Sequence, residues 1–142
     1  MTPAREILLG SFRAALAAAD PLAIVPAQLP PPAGRTLVVG AGKAAASMAA
    51  AVEAHWPAGA PLEGLVITRY GHGLPLGRIR VIEAGHPVPD EAGEAAAREI
   101  LARSGALAPE DLLLVLVSGG GSSLLSLPVE GIAMADLKAV TR

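Results

Sequence analysis

Four segments of the chain place glycine or polar residues directly after short aliphatic runs, and these segments could carry chemistry. In the first, Gly40, Gly42 and Lys43 follow the run at residues 36–39. A glycine turn that opens a helix exposes backbone N–H groups to an anion, and a lysine there adds positive charge. The turn fails the P-loop pattern but fits G-x-G-x-x-G/A, with Ala45 in third place. It predicts an anion site, with a plain strand-to-helix turn as the alternative.

Two further segments hold histidines in loops. Arg69 and His72 follow the second aliphatic run, where they could bind an anion or transfer a proton. A glycine-rich turn with solvated side chains is the simpler interpretation of this segment. His86 lies in a loop stiffened by prolines, which suits binding or acid–base work. Asp90 is interpreted only as the N-cap of the next helix.

The fourth segment gives the strongest chemical signal, because three consecutive glycines between hydroxyls let backbone amides curl around an anion. Its residues are Ser118, Gly119, Gly120, Gly121, Ser122 and Ser123. We expect it to bind phosphate or carboxylate oxygens. An inert loop remains an alternative, while a nucleophilic serine is disfavoured because the G-x-S-x-G pattern of hydrolases is absent.

Strands alternating with helices must position these segments. Four aliphatic runs are predicted strands, at residues 36–39, 65–68, 79–83 and 112–117. Predicted helices cover residues 43–56 and 90–103, and a last one starts at 136. The pattern predicts an α/β fold, a three-layer α/β/α sandwich with a mostly parallel sheet.

Two details of that sheet can be predicted. The run at 112–117 is apolar at every position, which indicates a strand buried on both faces. The link between 65–68 and 79–83 is too short for a crossover helix. We therefore expect those two strands to be antiparallel or non-adjacent.

The first 34 residues differ from the α/β core at 35–142. Thr2 and Pro3 are a good helix opening, and Leu8, Phe12 and Leu16 share one helical face, which we expect to pack on the domain. A proline-rich loop is predicted for residues 21–34.

Composition restricts the function classes. Apolar residues make up 52% of the chain but aromatic residues only 2%, so the core must be built from small aliphatic side chains. The formal charge is -2, and the sequence contains no stripe of basic residues. Both observations argue against nucleic acid as a partner. Zero cysteines exclude disulfides and thiolate metal sites. No signal peptide or membrane span is recognised, so we expect a cytoplasmic domain.

Taken together, the four segments resemble the type-2 glycerate kinase family, whose other half is the MOFRL domain. The match runs through Leu37-Val-Val-Gly-Ala-Gly-Lys-Ala, Thr68-Arg-Tyr-Gly-His-Gly, Glu83-Ala-Gly-His-Pro-Val-Pro-Asp-Glu-Ala-Gly and Leu116-Val-Ser-Gly-Gly-Gly-Ser-Ser-Leu. It covers nearly the whole chain. The resemblance implies the N-terminal portion of a Rossmann-like domain, truncated, with the C-terminal MOFRL domain absent.

The resemblance also implies a function, the ATP- and Mg²⁺-dependent phosphorylation of D-glycerate at its C2 hydroxyl. Lys43 matches a functionally important lysine of the family. The segment 118–123 would cradle phosphate or substrate oxygens, and Arg69 and His86 would line the cleft. The fragment alone would be inactive, because the site also needs the protein's own C-terminal domain.

Two other functions remain open. An NADP-dependent reductase acting on hydroxypyruvate would use the G-x-G-x-x-A turn, with Arg69 suited to a 2′-phosphate. A binding module for nucleotides or sugar phosphates, without turnover, is the third possibility.

Overall fold

The computed structural model of the chain describes residues 3–119 and 122–141. Its four strands are β1 (Thr36–Ala41), β2 (Leu62–Arg69), β3 (Ile79–Ala84) and β4 (Leu112–Val117). They form one sheet in the order β3-β2-β1-β4, and every pair of neighbours is parallel. The α/β fold with a parallel sheet, predicted from the sequence, is confirmed.

Five helices surround or precede the sheet in the described residues. They are α1 (Pro3–Ala18), α2 (Pro21–Ile24), α3 (Ala45–His55), α4 (Glu91–Gly105) and α5 (Met134–Thr141). Short 3-10 turns occur at Pro26–Gln28 and Ser123–Leu125. The predicted helices at 43–56, 90–103 and after 136 are confirmed to within two residues at each bound. The cap predicted at Thr2 lies outside the described residues.

The core has two parts, one on each face of the sheet. On one face, α3 packs its alanines against Val38, Val66 and Leu116. On the other, α4 and the turn Ser123–Leu125 pack against Leu65 and Ile67. Because small side chains let the helices lie close to the sheet, this composition yields the predicted three layers.

The pairing of β2 with β3 corrects the expectation from the sequence. The two strands are adjacent and parallel, with Gly64 opposite Ile79. Nine residues, 70–78, make the return without a helix, since an extended chain of that length reaches roughly 30 Å and β3 is only about 20 Å long. The expectation was wrong because a short parallel strand does not require a helical crossover.

The burial of β4 also differs from the prediction. Leu116 is buried, but Leu113, Val115 and Val117 are 40%, 53% and 58% exposed. In the described part of the chain β4 is an edge strand, and α4 packs mainly on β3, β2 and β1. An apolar run at every position therefore indicates two apolar faces, but not that both are covered within this chain.

The N-terminal region is less integrated than expected. None of the residues of α1 is buried, and Leu8, Phe12 and Leu16 are all more than half exposed. The predicted packing of this face is wrong because α1 touches little beyond α2. Part of the predicted proline-rich loop is helical instead: Asp20 accepts a hydrogen bond from the Leu22 amide and caps α2.

No single helix of the described residues is long and apolar enough to cross a membrane. By length and composition alone, the bent pair Pro3–Ala18 and Pro21–Gln28 passes that test.

Candidate active site

The turn after β1 is shaped by two glycines. Gly42 has a φ of 132°, and a Cβ at this position would lie 2.6 Å from the Ser118 Cβ. A Cβ at Gly40 would lie 2.3 Å from the Leu116 carbonyl oxygen. Only glycine allows the end of β1 to come this close to the end of β4, and only glycine adopts the φ of Gly42 readily.

Ser118 joins this turn to the one that follows β4. The N-cap residue of α3 is Ala44, which has no capping side chain. Its N–H donates instead to Ser118 Oγ at 3.0 Å, and the Ser118 N–H donates to the Ala41 carbonyl at 3.2 Å. The structure therefore brings the first and fourth chemical segments together.

The rest of the fourth segment is described only in part. Gly119 has a φ of 92° with no atom within 4 Å of a Cβ built there, so its backbone borders open space. Gly120 and Gly121, which the sequence nominates for anion binding, lie outside the described residues. Ser122 accepts from the Leu124 amide, and the Ser123 carbonyl accepts from the Ser126 hydroxyl. These two serines shape the following turn.

The position of both turns within the sheet favours ligand binding. From β1 the chain moves to β2 and β3 on one side, and then returns to place β4 on the other side of β1. The carboxyl ends of β1 and β4 thus flank a topological switch point, where open α/β sheets form their ligand crevice.

Lys43 differs from the other basic side chains near the sheet. It is exposed and makes no hydrogen bond or ion pair with the residues that the structure describes. Every other lysine or arginine described between residues 35 and 141 donates a hydrogen bond to a protein group. Lys43 is therefore available to an external anion beside the two glycine turns.

Thr68 is a site residue that the sequence analysis missed. It is fully buried at the carboxyl end of β2, and its hydroxyl donates to the Lys43 carbonyl at 3.4 Å. This contact ties the first turn to β2. In the sequence, Thr68 is the one polar residue of the predicted strand at 65–68, and this position could have identified it.

Arg69 and His86 stand at the ends of β2 and β3. Arg69 Nε donates to His72 Nε2 at 2.6 Å, so this ring nitrogen is the acceptor in the pairing. His86 is exposed and makes no hydrogen bond with the described residues. Because β1, β2 and β3 are parallel strands of one sheet, these groups border the same edge of the sheet as Lys43.

Two further residues missed at first, Tyr70 and Glu83, secure the loop after β2. Glu83 Oε1 accepts from the Gly73 amide at 2.7 Å, and the Tyr70 hydroxyl donates to Asp90 Oδ2 at 2.8 Å. Both residues were visible within the motifs, but their partners lie 10 and 20 residues away along the chain. Spacing alone could not reveal them.

Asp90 does more than cap α4. Its Oδ1 accepts from the Gly93 amide at 3.0 Å, which confirms the predicted cap. Burial opposes its ionisation, but hydrogen bonds from the Gly93 and Gly85 amides and from Tyr70 outweigh burial and lower the pKa of Asp90. In turn, the hydrogen bond to Asp90 raises the pKa of the Tyr70 hydroxyl.

The residues described here include no ready-made cluster of metal-ligating side chains. No group of three histidine or carboxylate side chains lies close enough to hold a metal ion in the described ranges. The nearby carboxylates of Glu83 and Asp90 are already engaged with backbone amides and Tyr70. Magnesium is bound by oxygen ligands and often by one or two carboxylates together with substrate phosphates.

Relatives of the chain carry two kinds of name. A protein of Agrobacterium vitis named "Putative hydroxypyruvate reductase" is 52% identical over 140 residues, which are 98% of this chain and 32% of that protein. The "Glycerate 2-kinase" of Pyrococcus horikoshii is 44% identical over 108 residues, or 76% of this chain and 24% of that protein. The chain thus spans about a third or less of the length of these curated relatives.

Solved structures agree with the fold. A crystal structure of a Pyrococcus horikoshii protein superposes with a TM-score of 0.80 at 37% identity, covering 99% of this chain and 34% of that one. The crystal structure of glycerate kinase from Thermotoga maritima gives 0.77 at 34% identity, covering 90% of this chain and 31% of that one.

The sequence also matches a family model over residues 7–142. That family is described only as a domain of unknown function (DUF4147). The chain is thus similar both to relatives named glycerate 2-kinase and to one named "Putative hydroxypyruvate reductase". The chain belongs to this DUF4147 family, as a segment similar to part of the glycerate 2-kinases.

Proposed function

We propose that the complete protein transfers the γ-phosphoryl group of ATP to the C2 hydroxyl of D-glycerate. The observation that carries the proposal is Lys43, which has no partner among the described residues and follows the Gly40–Gly42 turn at the switch point of the sheet, where Ser118 joins that turn to the end of β4. Relatives named glycerate 2-kinase in Pyrococcus horikoshii and Thermotoga maritima support this choice of substrate.

The site suits the charge changes of this reaction. The C2 hydroxyl oxygen would form a bond to the γ-phosphorus, the bond to the β-phosphate oxygen would break, and the hydroxyl would lose its proton. Catalysis of phosphoryl transfer depends mostly on positioning and electrostatic stabilisation. Lys43 would neutralise oxygen charge, while Gly40, Gly42 and the segment 118–123 would let backbone amides approach the oxygens.

The remaining parts of the proposed site lie partly outside this chain. Mg²⁺ would arrive with the ATP phosphates, and its protein ligands would come from residues other than those described. Arg69 and His86 would form the wall that faces the substrate. The protein's own C-terminal domain would close the cleft, consistent with relatives about three times as long as this chain.

The first test is a coupled assay of ADP release by the complete gene product with ATP and D-glycerate. Lys43→Ala should lower kcat/KM by about a hundredfold or more, the range found when a charge-stabilising group is removed. The chain has one other lysine, Lys138, which pairs with Glu91. Lys138→Ala is the matched control and should keep near-normal activity. Normal turnover by Lys43→Ala would refute the role of this lysine.

The alternative is an NADP-dependent hydroxypyruvate reductase, favoured by the name of the Agrobacterium vitis relative. The buried Ala45 fits the third position of a dinucleotide turn, but the Arg69 guanidinium already bonds His72. Oxidation of NADPH by hydroxypyruvate, measured on the same protein beside the ADP assay, separates the two. NADPH oxidation without ADP release would replace the kinase proposal.

A further inference from the structure

A side-chain contact between Tyr70 and Asp90 joins the loops that follow β2 and β3. The Tyr70 hydroxyl donates to Asp90 Oδ2 at 2.8 Å. The two loops hold the candidate substrate-facing groups Arg69 and His86. The contact therefore links two parts of the site wall that are far apart in sequence.

The two carboxylate oxygens of Asp90 have separate tasks. Oδ1 accepts from the Gly93 amide and caps α4, whereas Oδ2 accepts from Tyr70. Gly85 must be glycine for the loop to close on Asp90, since a Cβ there would lie 2.5 Å from the Val88 carbonyl oxygen and 3.1 Å from the Asp90 carboxylate. Asp90 is therefore fixed from the helix side, and Tyr70 is attached to a rigid partner.

Tyr70 in turn restricts its neighbours. Arg69 precedes it and bonds His72 within the same turn, and the His72 amide donates to the Arg69 carbonyl at 3.1 Å. Gly73 is held at the far end of the turn by Glu83. With Tyr70 anchored in the middle, the turn is secured at two points, and the Arg69 guanidinium has a defined position at the carboxyl edge of the sheet.

We propose that Tyr70 is a positioning residue, which through its bond to Asp90 orients Arg69 toward the carboxylate of the acid substrate. This deepens the proposed function and rests on it. An arginine held in place suits a planar carboxylate, which it binds through two parallel hydrogen bonds. The phosphates of ATP, by contrast, would be held beside Lys43 at β1 and β4.

The proposal assigns the acid substrate to Arg69 and the ATP phosphates to Lys43, so the two KM values should respond differently to a change at Tyr70. In the complete gene product, Tyr70→Phe removes one oxygen and leaves the Asp90 cap intact. The KM for D-glycerate should rise about fivefold to tenfold, the size expected for the loss of one ordinary hydrogen bond at a largely exposed side chain. The KM for ATP and kcat should change less than twofold. A merely structural role would not separate the two KM values.

A second variant tests the route through Asp90. Asp90→Ser keeps a good N-cap and removes the acceptor of Tyr70. It should raise the KM for D-glycerate as Tyr70→Phe does, and the double variant should be no worse than either single one. Additive effects, an unchanged KM for D-glycerate, or an equal rise for ATP would each overturn the proposal.

The contact itself can be tested without turnover. Tyr70 is the only tyrosine of the chain, so ultraviolet titration of the 142-residue chain reports its phenol alone. The groups acting on it are Asp90, Glu83 and Glu91. Asp90→Ser should lower the pKa of Tyr70 toward its ordinary value; no change would refute the contact.

If the wild-type protein does not turn over D-glycerate, the kinase proposal and the substrate assignment fail, while this titration still decides whether Tyr70 is anchored.

Discussion

Ser118 stabilises the start of α3 from a neighbouring strand. Helices leave their first N–H groups without partners inside the helix, and a side chain of the N-cap residue usually accepts from one of them. Ala44 cannot do so, and the Ser118 hydroxyl accepts from the Ala44 N–H instead. The geometry of the turn that carries Lys43 thus depends on a residue 74 positions away.

At the scale of single residues, Ser118→Ala tests this dependence. The variant leaves the part-buried Ala44 amide without an acceptor, and we expect its hydrogen exchange to become roughly tenfold faster, equivalent to about 1.4 kcal/mol of local stability. Exchange in the segment 42–48 can be followed by mass spectrometry. Ser11→Ala, in the exposed part of α1, is the control and should leave that segment unchanged. Equal exchange in both variants would show that Ser118 is not the cap.

The sequence predicts residues of this site well where backbone chemistry decides, and poorly where side chains meet across the fold. The glycines at 40 and 42 imply a tight turn, and the turn is present. The partners of Thr68, Tyr70 and Glu83 depend on which strands are neighbours, which a single sequence does not state. The capping role of Asp90 is local and was predicted, whereas its contact with Tyr70 is not local and was missed.

At the scale of elements, Glu53 anchors the crossover from β2 to β3. Its carboxylate, in the last turns of α3, accepts from the amides of Gly77, Arg78 and Ile79 at 2.6, 2.8 and 3.1 Å. Partial burial opposes ionisation, but these bonds outweigh it and lower the pKa of Glu53 below its ordinary value of 4.5. A helix-free parallel crossover is possible because this one side chain satisfies three backbone donors.

Glu53→Gln should therefore destabilise the chain in a pH-dependent way. We expect a loss of about 1–2 kcal/mol at neutral pH, since an amide has one acceptor oxygen and no charge. A carboxylate whose pKa is lowered by folding stabilises the protein above its unfolded pKa, and this contribution disappears as the pH falls through the folded value. The difference between wild type and variant in urea unfolding should thus shrink below pH 4.5.

The matched control for that experiment is Glu99→Gln. Among the described residues, Glu99 pairs with the side chains of Arg80 at 2.6 Å and Arg103 at 3.4 Å, on a partly exposed surface. Such pairs contribute about 0–1 kcal/mol. A loss in Glu53→Gln no larger than in Glu99→Gln would show that the crossover does not depend on the carboxylate.

Element types followed from periodicity and composition, because each strand and helix is set by its own residues. Periodicity could not show which other elements pack against each strand or helix. The run 112–117 reads the same whether a helix covers it or not, and the apolar face of α1 reads the same whether it is docked or open. Both errors concern what lies beside an element, which the sequence of that element does not encode.

At the scale of the whole molecule, the exposed apolar faces of α1 and β4 both indicate surface that this chain does not cover by itself. The accessible surface of 8190 Å² exceeds the roughly 6,800 Å² expected for a compact monomer of this length. On one side of β4, Leu113, Val115 and Val117 are exposed, and on the other an apolar cleft of about 490 Å³ opens beside Leu114 and Leu116. Apolar patches of this kind mark surfaces that another segment or molecule covers.

We expect the isolated 142-residue chain to associate with itself through β4. In the complete gene product, we expect further segments to cover this face and prevent the association. Val115→Thr with Val117→Thr keeps the β-branched shape that a strand favours and makes the face polar, so it should shift the isolated chain toward monomer in light scattering. Val140→Thr is the control, because Val140 is 83% exposed but lies on α5. If the wild-type chain is monomeric at tens of micromolar, or if the α5 variant relieves association as well as the β4 variant does, the free face of β4 is not what drives it.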